Sequence, residues 1–101
     1  MKLIIITIID ELKKDVIKLF KQAEIENYSE SDIEGFKTAI SSQITTGWFG
    51  GNSYSADSEM FFSFEKEEKV KVLFELIKTY NNNIEHNNPI RAVIIPVEDH
   101  V

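Results

Sequence analysis

Three segments of the chain are apolar at consecutive positions, and they restrict the possible fold more than any other feature of the sequence. They read LIIITII at Leu3–Ile9, MFFSF within the predicted strand EMFFSF at Glu59–Phe64, and AVIIPV at Ala92–Val97. A strand with one face in water alternates apolar and polar residues, whereas these segments are apolar at both parities. They predict strands that are covered on both faces, and Pro96 places the end of the last one at a sheet edge.

Two amphipathic helices alternate with these strands. Asp10 offers an N-cap for the first helix, and the second helix is predicted to begin near Lys66. The segment Tyr28–Phe36 is weakly apolar and predicts a further strand, with Gly35 as a bend. The apolar stripes are Leu12, Val16, Leu19, Phe20 and Ala23 in the first helix, and Val70, Leu73, Phe74, Ile77 and Tyr80 in the second.

The predicted order is strand, helix, strand, loop, strand, helix, strand. We interpret it as an α+β, ferredoxin-like βαββαβ fold with a four-stranded antiparallel sheet and two helices on one face. A length of 101 residues supports one domain, residues 1–101, and residues 81–89 are predicted to form a turn-rich loop. Two helices leave the second sheet face bare, which would expose roughly several hundred Å² of apolar surface. We therefore expect a homo-oligomer.

The composition excludes several classes of function. A net charge of −6 argues against nucleic-acid binding and against docking on an anionic membrane. The longest aliphatic run, Leu3–Ile9, is too short to span a bilayer, so no membrane insertion is predicted. The absence of cysteine excludes disulfides and thiolate sites and fits a cytoplasmic protein. With no nucleophile–base pair and no Walker motif, we do not expect an enzyme.

Residues 38–56 contain no charged side chain, although the rest of the chain is densely charged. A loop of about twenty residues is uncommon in a small domain unless it is functional or disordered. We interpret it as an arm whose aromatic residues bind a partner, since such residues dominate interface energies. The alternative is an ordinary loop whose aromatic side chains fold back on the protein. The residues concerned are Gly47, Trp48, Phe49, Gly50, Gly51 and Tyr54.

The chain resembles PII-type proteins of the GlnB-like superfamily over nearly its whole length. The resemblance is carried by MKLIIITII, ELKKDVIKLFKQAEI and SESDIEGFK in the first half and by RAVIIPVEDHV at the end. It implies a homotrimer with the sheets packed inward and an effector, usually an adenine nucleotide, bound between subunits. It also implies a T-loop at about residues 37–58, which docks on a partner such as a membrane transporter or a regulatory protein.

The resemblance also implies the residues that line the effector cleft. The alternative is that the cations among them are ordinary surface residues. The loop NNNIEHNNPIR has neither the glycines nor the lysine that hold nucleotide phosphates in the nitrogen-regulatory members, and Glu85 would repel phosphate. This departure disfavours ATP sensing of the usual kind. The implied effector-binding residues are Ser29, Gly35, Phe36, Lys37, Asn88 and Arg91.

A second hypothesis is a divalent-metal or small-molecule binding module, related to metal tolerance or cation efflux. His86 and His100 lie beside acidic residues and could ligate a divalent ion, although both also suit an exposed loop and a tail. Other branches of the superfamily bind cyclic dinucleotides or bicarbonate. A third hypothesis is a structural or assembly protein without an effector.

Overall fold

The computed structural model describes residues 1–36, 55–85 and 87–101, without the side chains of residues 35, 36, 55 and 56. The sheet is antiparallel throughout, with the strand order β2-β3-β1-β4. The predicted ferredoxin-like fold is confirmed. Its elements are β1 (Lys2–Ile9), α1 (Lys13–Gln22), β2 (Ser29–Phe36), β3 (Ser55–Glu65), α2 (Glu67–Asn82) and β4 (Arg91–Pro96).

The helices pack on one face of the sheet because alternate residues of the central strands point toward them. Ile4, Ile6 and Ile8 of β1 are buried together with Phe61 of β3. The predicted stripes of both helices meet these residues in one core cluster. Tyr80 also joins the two helices, because its hydroxyl donates a hydrogen bond to Asp15 Oδ2 at 2.7 Å.

Several predicted boundaries were wrong, each for a local reason. Asp10 is not an N-cap, since the chain enters a 3₁₀ turn at Asp10 itself and Ile9 precedes that turn without a side-chain cap. Gly35 is not a bend, because it stays in the ladder opposite Ala56. The helix α2 continues through Asn82, so the turn-rich loop is shorter than predicted. The strand β3 begins at Ser55, which places residues 55–58 of the predicted T-loop in the sheet.

Glu24 ends α1 in the left-handed backbone region, with φ of 59°. The amide of Ile25 donates to the Phe20 carbonyl at 2.9 Å, and the amide of Glu24 donates to the Lys21 carbonyl at 3.0 Å. This pattern is a Schellman motif, in which glycine usually occupies the position of Glu24. A Cβ atom there costs free energy that glycine would not.

Replacing Glu24 by Gly is therefore expected to raise the free energy of unfolding by about 1 kcal/mol. For a chain of this size, that gain raises the thermal midpoint by about 4–8 °C. Calorimetry at one fixed protein concentration measures the change. The matched control is Glu26→Gly in the turn that follows, where φ is not positive and glycine should not stabilise. Equal gains for both variants would contradict the backbone explanation.

Candidate functional site

The backbone positions that lead into and out of residues 37–54 lie at one end of the sheet. There Gly35 pairs with Ala56, and on the neighbouring strands Thr7 of β1 pairs with Arg91 of β4. The antiparallel ladders bring these positions to the same end, which we call the loop end. Of the predicted effector residues, Gly35 and Phe36 are on the edge strand β2 and Arg91 is on the opposite edge strand β4, with β3 and β1 between them. Arg91 is level with Met60 of β3, four residues from Ala56 and Gly35, so one subunit does not bring these residues together.

Arg91, at the loop end, has one unsatisfied guanidinium nitrogen. Its Nε is buried and, among the described contacts, has no hydrogen-bond partner. Thr7 is the residue paired with Arg91 and is only 6% exposed. Its Oγ1 is also buried and has no hydrogen-bond partner among the described contacts. Leaving a buried donor unpaired costs about 1–3 kcal/mol, so an anionic group that accepts from Arg91 would recover this cost. Thr7 was not predicted as a site residue, although a hydroxyl within LIIITII was the available signal.

Asn81 holds the backbone beside Arg91 in place. Its Nδ2 donates to the Ile90 carbonyl at 2.9 Å, and its Oδ1 accepts from the Ile90 amide at 2.8 Å. These two hydrogen bonds, which we call the Asn81 clamp, close the connection from α2 to β4 at its base. The clamp fixes where β4 starts and therefore where Arg91 stands.

Ser29 begins β2 at the sheet edge opposite β4 and is level with Ile5 of β1, two residues along the strands from the Thr7–Arg91 pair. It pairs with Phe62 and stands six residues before Gly35 on β2, which corresponds to about 20 Å along the strand. A cleft of about 380 Å³ adjoins it, within the usual size range of ligand sites. Its walls are Glu26, Asn27, Tyr28, Ser29, Phe62, Ser63 and Phe64. The structure does not bring Ser29 together with Arg91 in one subunit.

The remaining predicted site residues divide into two groups. Asn88 is half-buried shortly before Arg91, and His100 is exposed in the tail, where its backbone amide donates to Asp99 Oδ1 at 2.9 Å. Within residues 1–36, 55–85 and 87–101, no three potential ligands come together in a metal-binding group. The others lie outside the described residues: Lys37, Gly47, Trp48, Phe49, Gly50, Gly51, Tyr54 and His86.

The sheet face opposite the helices, which we call the open face, is apolar. In β1, Leu3 and Ile5 pair with Phe64 and Phe62 of β3, so all four side chains point to this face. Phe64 is 55% exposed, although its ring meets that of Phe62 edge-on at 6.5 Å. The apolar character of the strands at both parities is thus matched by a second apolar surface, which neither of the described helices covers.

No helix in the described part of the chain is long and apolar enough to cross a membrane.

The fold of the described residues is similar to that of solved PII-like proteins. CPII from Thiomonas intermedia K12, bound to ADP, AMP and acetate, is similar with a TM-score of 0.65 at 16% identity, over 97% of this chain and 88% of CPII. CPII bound to ADP, AMP and bicarbonate gives a TM-score of 0.63 at 17% identity, over 99% of this chain and 94% of CPII. A Thermus thermophilus protein described as a PII-like signaling protein gives a TM-score of 0.58 at 13% identity, over 92% of this chain and 82% of that protein.

No protein-family model and no curated protein sequence matches the chain. At 13–17% identity, the likeness to the solved structures concerns the fold. The resemblance to PII-like proteins that the sequence predicted is confirmed at that level.

Proposed function

We propose that the protein is a small PII-like regulatory protein that binds an adenine nucleotide between the subunits of a homotrimer. The observation that carries the proposal is the unpaired Nε of Arg91 at the loop end of a PII-like fold. A guanidinium is suited to phosphate because its donors match the phosphate oxygens. CPII, which shares the fold, is described as bound to ADP and AMP.

The open face supports assembly of the chain with copies of itself. Leu3, Ile5, Phe62 and Phe64 form a contiguous apolar surface across β1 and β3. Removing such side chains from water stabilises an interface by about 25 cal/mol per Å² of apolar area. A trimer with its sheets facing inward covers the open face of every subunit.

The positions of Ser29 and Arg91 favour a site that two subunits build together. They lie on opposite edge strands of one sheet, with β3 and β1 between them, so we assign the Ser29 and the Arg91 of one site to different subunits. The cleft at Ser29 offers aromatic walls for a base, and Arg91 of a neighbouring subunit offers a cation for the phosphate. Because Arg91 is the only cation of the loop NNNIEHNNPIR, AMP and ADP fit better than ATP.

Signalling is proposed to pass through residues 37–54, the part of the predicted T-loop that lies between β2 and β3. The strand positions on either side of this segment lie at the loop end. The support for this proposal is the absence of charge at residues 38–56 and the aromatic residues Trp48, Phe49 and Tyr54. The proposed partner is a membrane transporter or a regulatory protein with an apolar pocket for these side chains.

A ligand panel tests the proposed function. AMP, ADP, ATP, sodium bicarbonate, a cyclic dinucleotide, MgCl₂ and ZnCl₂ are titrated separately by calorimetry, and the emission of Trp48 is recorded in parallel. We expect AMP and ADP to bind at micromolar concentrations, with ATP weaker. Silence toward all adenine nucleotides would refute the proposed function. A response to the metals alone would instead support the metal-binding module.

A further inference from the structure

Acidic residues line the helix-facing side of β2 and β3. Glu30, Asp32 and Glu34 alternate along β2, and the register places Asp32 directly opposite Glu59 of β3. Directly opposite side chains in an antiparallel pair have Cβ atoms about 4.5–5.5 Å apart. Two carboxyl groups are therefore adjacent in an otherwise regular ladder, where like charges destabilise the pairing.

Glu59 is the unusual member of this pair because it is only 4% exposed, whereas Asp32 is exposed. Its Oε1 lies 3.9 Å from Lys13 Nζ, and that ammonium stands closer to Glu30 Oε1, at 3.2 Å. Its Oε2 is buried and has no hydrogen-bond donor among the described residues. One shared lysine thus faces a buried carboxyl group whose second oxygen is unsatisfied.

The other neighbours of Glu59 do not supply a positive charge. On β1 its paired residue is Ile8, and two residues earlier on its own strand stands Asp57. The 3₁₀ turn that contacts β3 carries Asp10 and Glu11, both exposed. A second ionised carboxylate at this place would be partly desolvated among like charges, which is costly.

We propose that Glu59 and Asp32 form a proton-sharing carboxyl pair, in which one bound proton tightens the β2–β3 ladder and its release weakens it. A proton on Glu59 Oε2 converts the unsatisfied oxygen into a donor toward the Asp32 carboxylate. When the proton leaves for solvent, both groups are ionised and repel each other across the strands. The proposal does not depend on the proposed nucleotide function.

The electrostatic surroundings place this change near neutral pH. The hydrogen bond with Asp32, burial and the Asp32 charge raise the pKa of Glu59 from 4.5 to about 7, and Lys13 opposes the shift. The native protein therefore holds this proton where the unfolded chain has lost it. The stability that the raised pKa contributes is fully present below pH 4.5 and is lost as the pH rises through about 7.

The test compares the wild type with Glu59→Gln, which imitates the protonated group at every pH. The midpoint of urea unfolding of the variant should exceed that of the wild type by about 0.5–1 M at pH 8.5 and by less at pH 5. The protection factors of the Ile33 and Ser58 amides, which correct for the pH dependence of intrinsic exchange, should fall in the wild type between these two values and stay level in the variant. The control is Glu34→Gln, one exposed acid nearer the loop end, which should leave the pH dependence unchanged.

A carboxyl ¹³C NMR titration of the wild type keeps the proposal testable if Glu59→Gln fails to fold. We expect a midpoint near 7 for Glu59 and its fall by at least one pH unit in Asp32→Asn, because the opposing charge is gone. A Glu59 midpoint near 4.5, or the same pH dependence in wild type and Glu59→Gln, would overturn the proposal.

Discussion

Replacing Phe64 by Asp is expected to convert the proposed trimer into monomers of 11.6 kDa. Phe64 is 55% exposed in the single subunit, so a carboxylate there remains hydrated and leaves the monomer folded. In an assembly that covers the open face, the same carboxylate would be desolvated without a partner, at a cost of several kcal/mol per subunit. Sedimentation velocity at micromolar concentration measures the mass directly, without added ligand.

Val72→Asp is the matched control for this change. Val72 is 49% exposed, but it lies on α2 on the helix side of the sheet. The same charge is thus introduced at a similarly exposed apolar residue outside the open face, and the mass should stay that of the wild type. A wild-type protein that sediments as a monomer, or equal dissociation of both variants, would contradict an interface on the open face.

The second large effect is expected for Arg91→Ala, which should weaken the binding of ADP by about 10- to 100-fold. This loss corresponds to about 1.4–3 kcal/mol, the usual contribution of a hydrogen bond between charged groups. Arg91→Lys should recover only part of it, since an ammonium keeps the charge but not the planar set of donors. Calorimetric titration with ADP gives the affinities.

Lys14→Ala removes the same charge from the exposed surface of α1 and serves as the control. Its affinity for ADP should match the wild type once the ionic strength is held constant. Sedimentation confirms that each variant keeps its oligomeric state, which separates a lost ligand contact from a lost interface. If Arg91→Ala bound ADP as tightly as the wild type, Arg91 would not be part of the nucleotide site.

Local patterns in the sequence predicted the strands and helices that bury the most apolar surface. LIIITII corresponds to β1, and the two helical stripes correspond to the buried faces of α1 and α2. Their apolar periodicity could be recognised because the residues that pack in the core recur at the spacing of a strand or a helix. The polar strand β2 was harder to predict, since SESDIEGF has few apolar anchors and gains its structure from pairing with β3. The observed helix bounds near Asp10 and Asn82 differ from the predicted ones because weak local interactions determine where a helix starts and ends.

The contacts that matter most for the candidate sites depend on strand register, which the sequence alone did not determine. Glu59 was predicted only as the first residue of a strand, and Asp32 was not singled out, because nothing local places them opposite each other. The separation of Ser29 from Gly35 follows from the length of β2, which became definite only with its pairing to β3. The resemblance to PII-type proteins implied that Ser29 and Gly35 both line an effector cleft. It did not show that the two residues are far apart within one chain.

The Asn81 clamp suggests that the loop between α2 and β4 can be substituted. Because two hydrogen bonds between Asn81 and Ile90 fix the start of β4, we expect Arg91 to keep its position when residues of this connection are exchanged. A glycine- and lysine-containing phosphate loop could therefore be grafted into this connection while the sheet stays as it is. If the proposed binding of AMP and ADP holds, the scaffold thus offers an engineering route to a protein that distinguishes ATP.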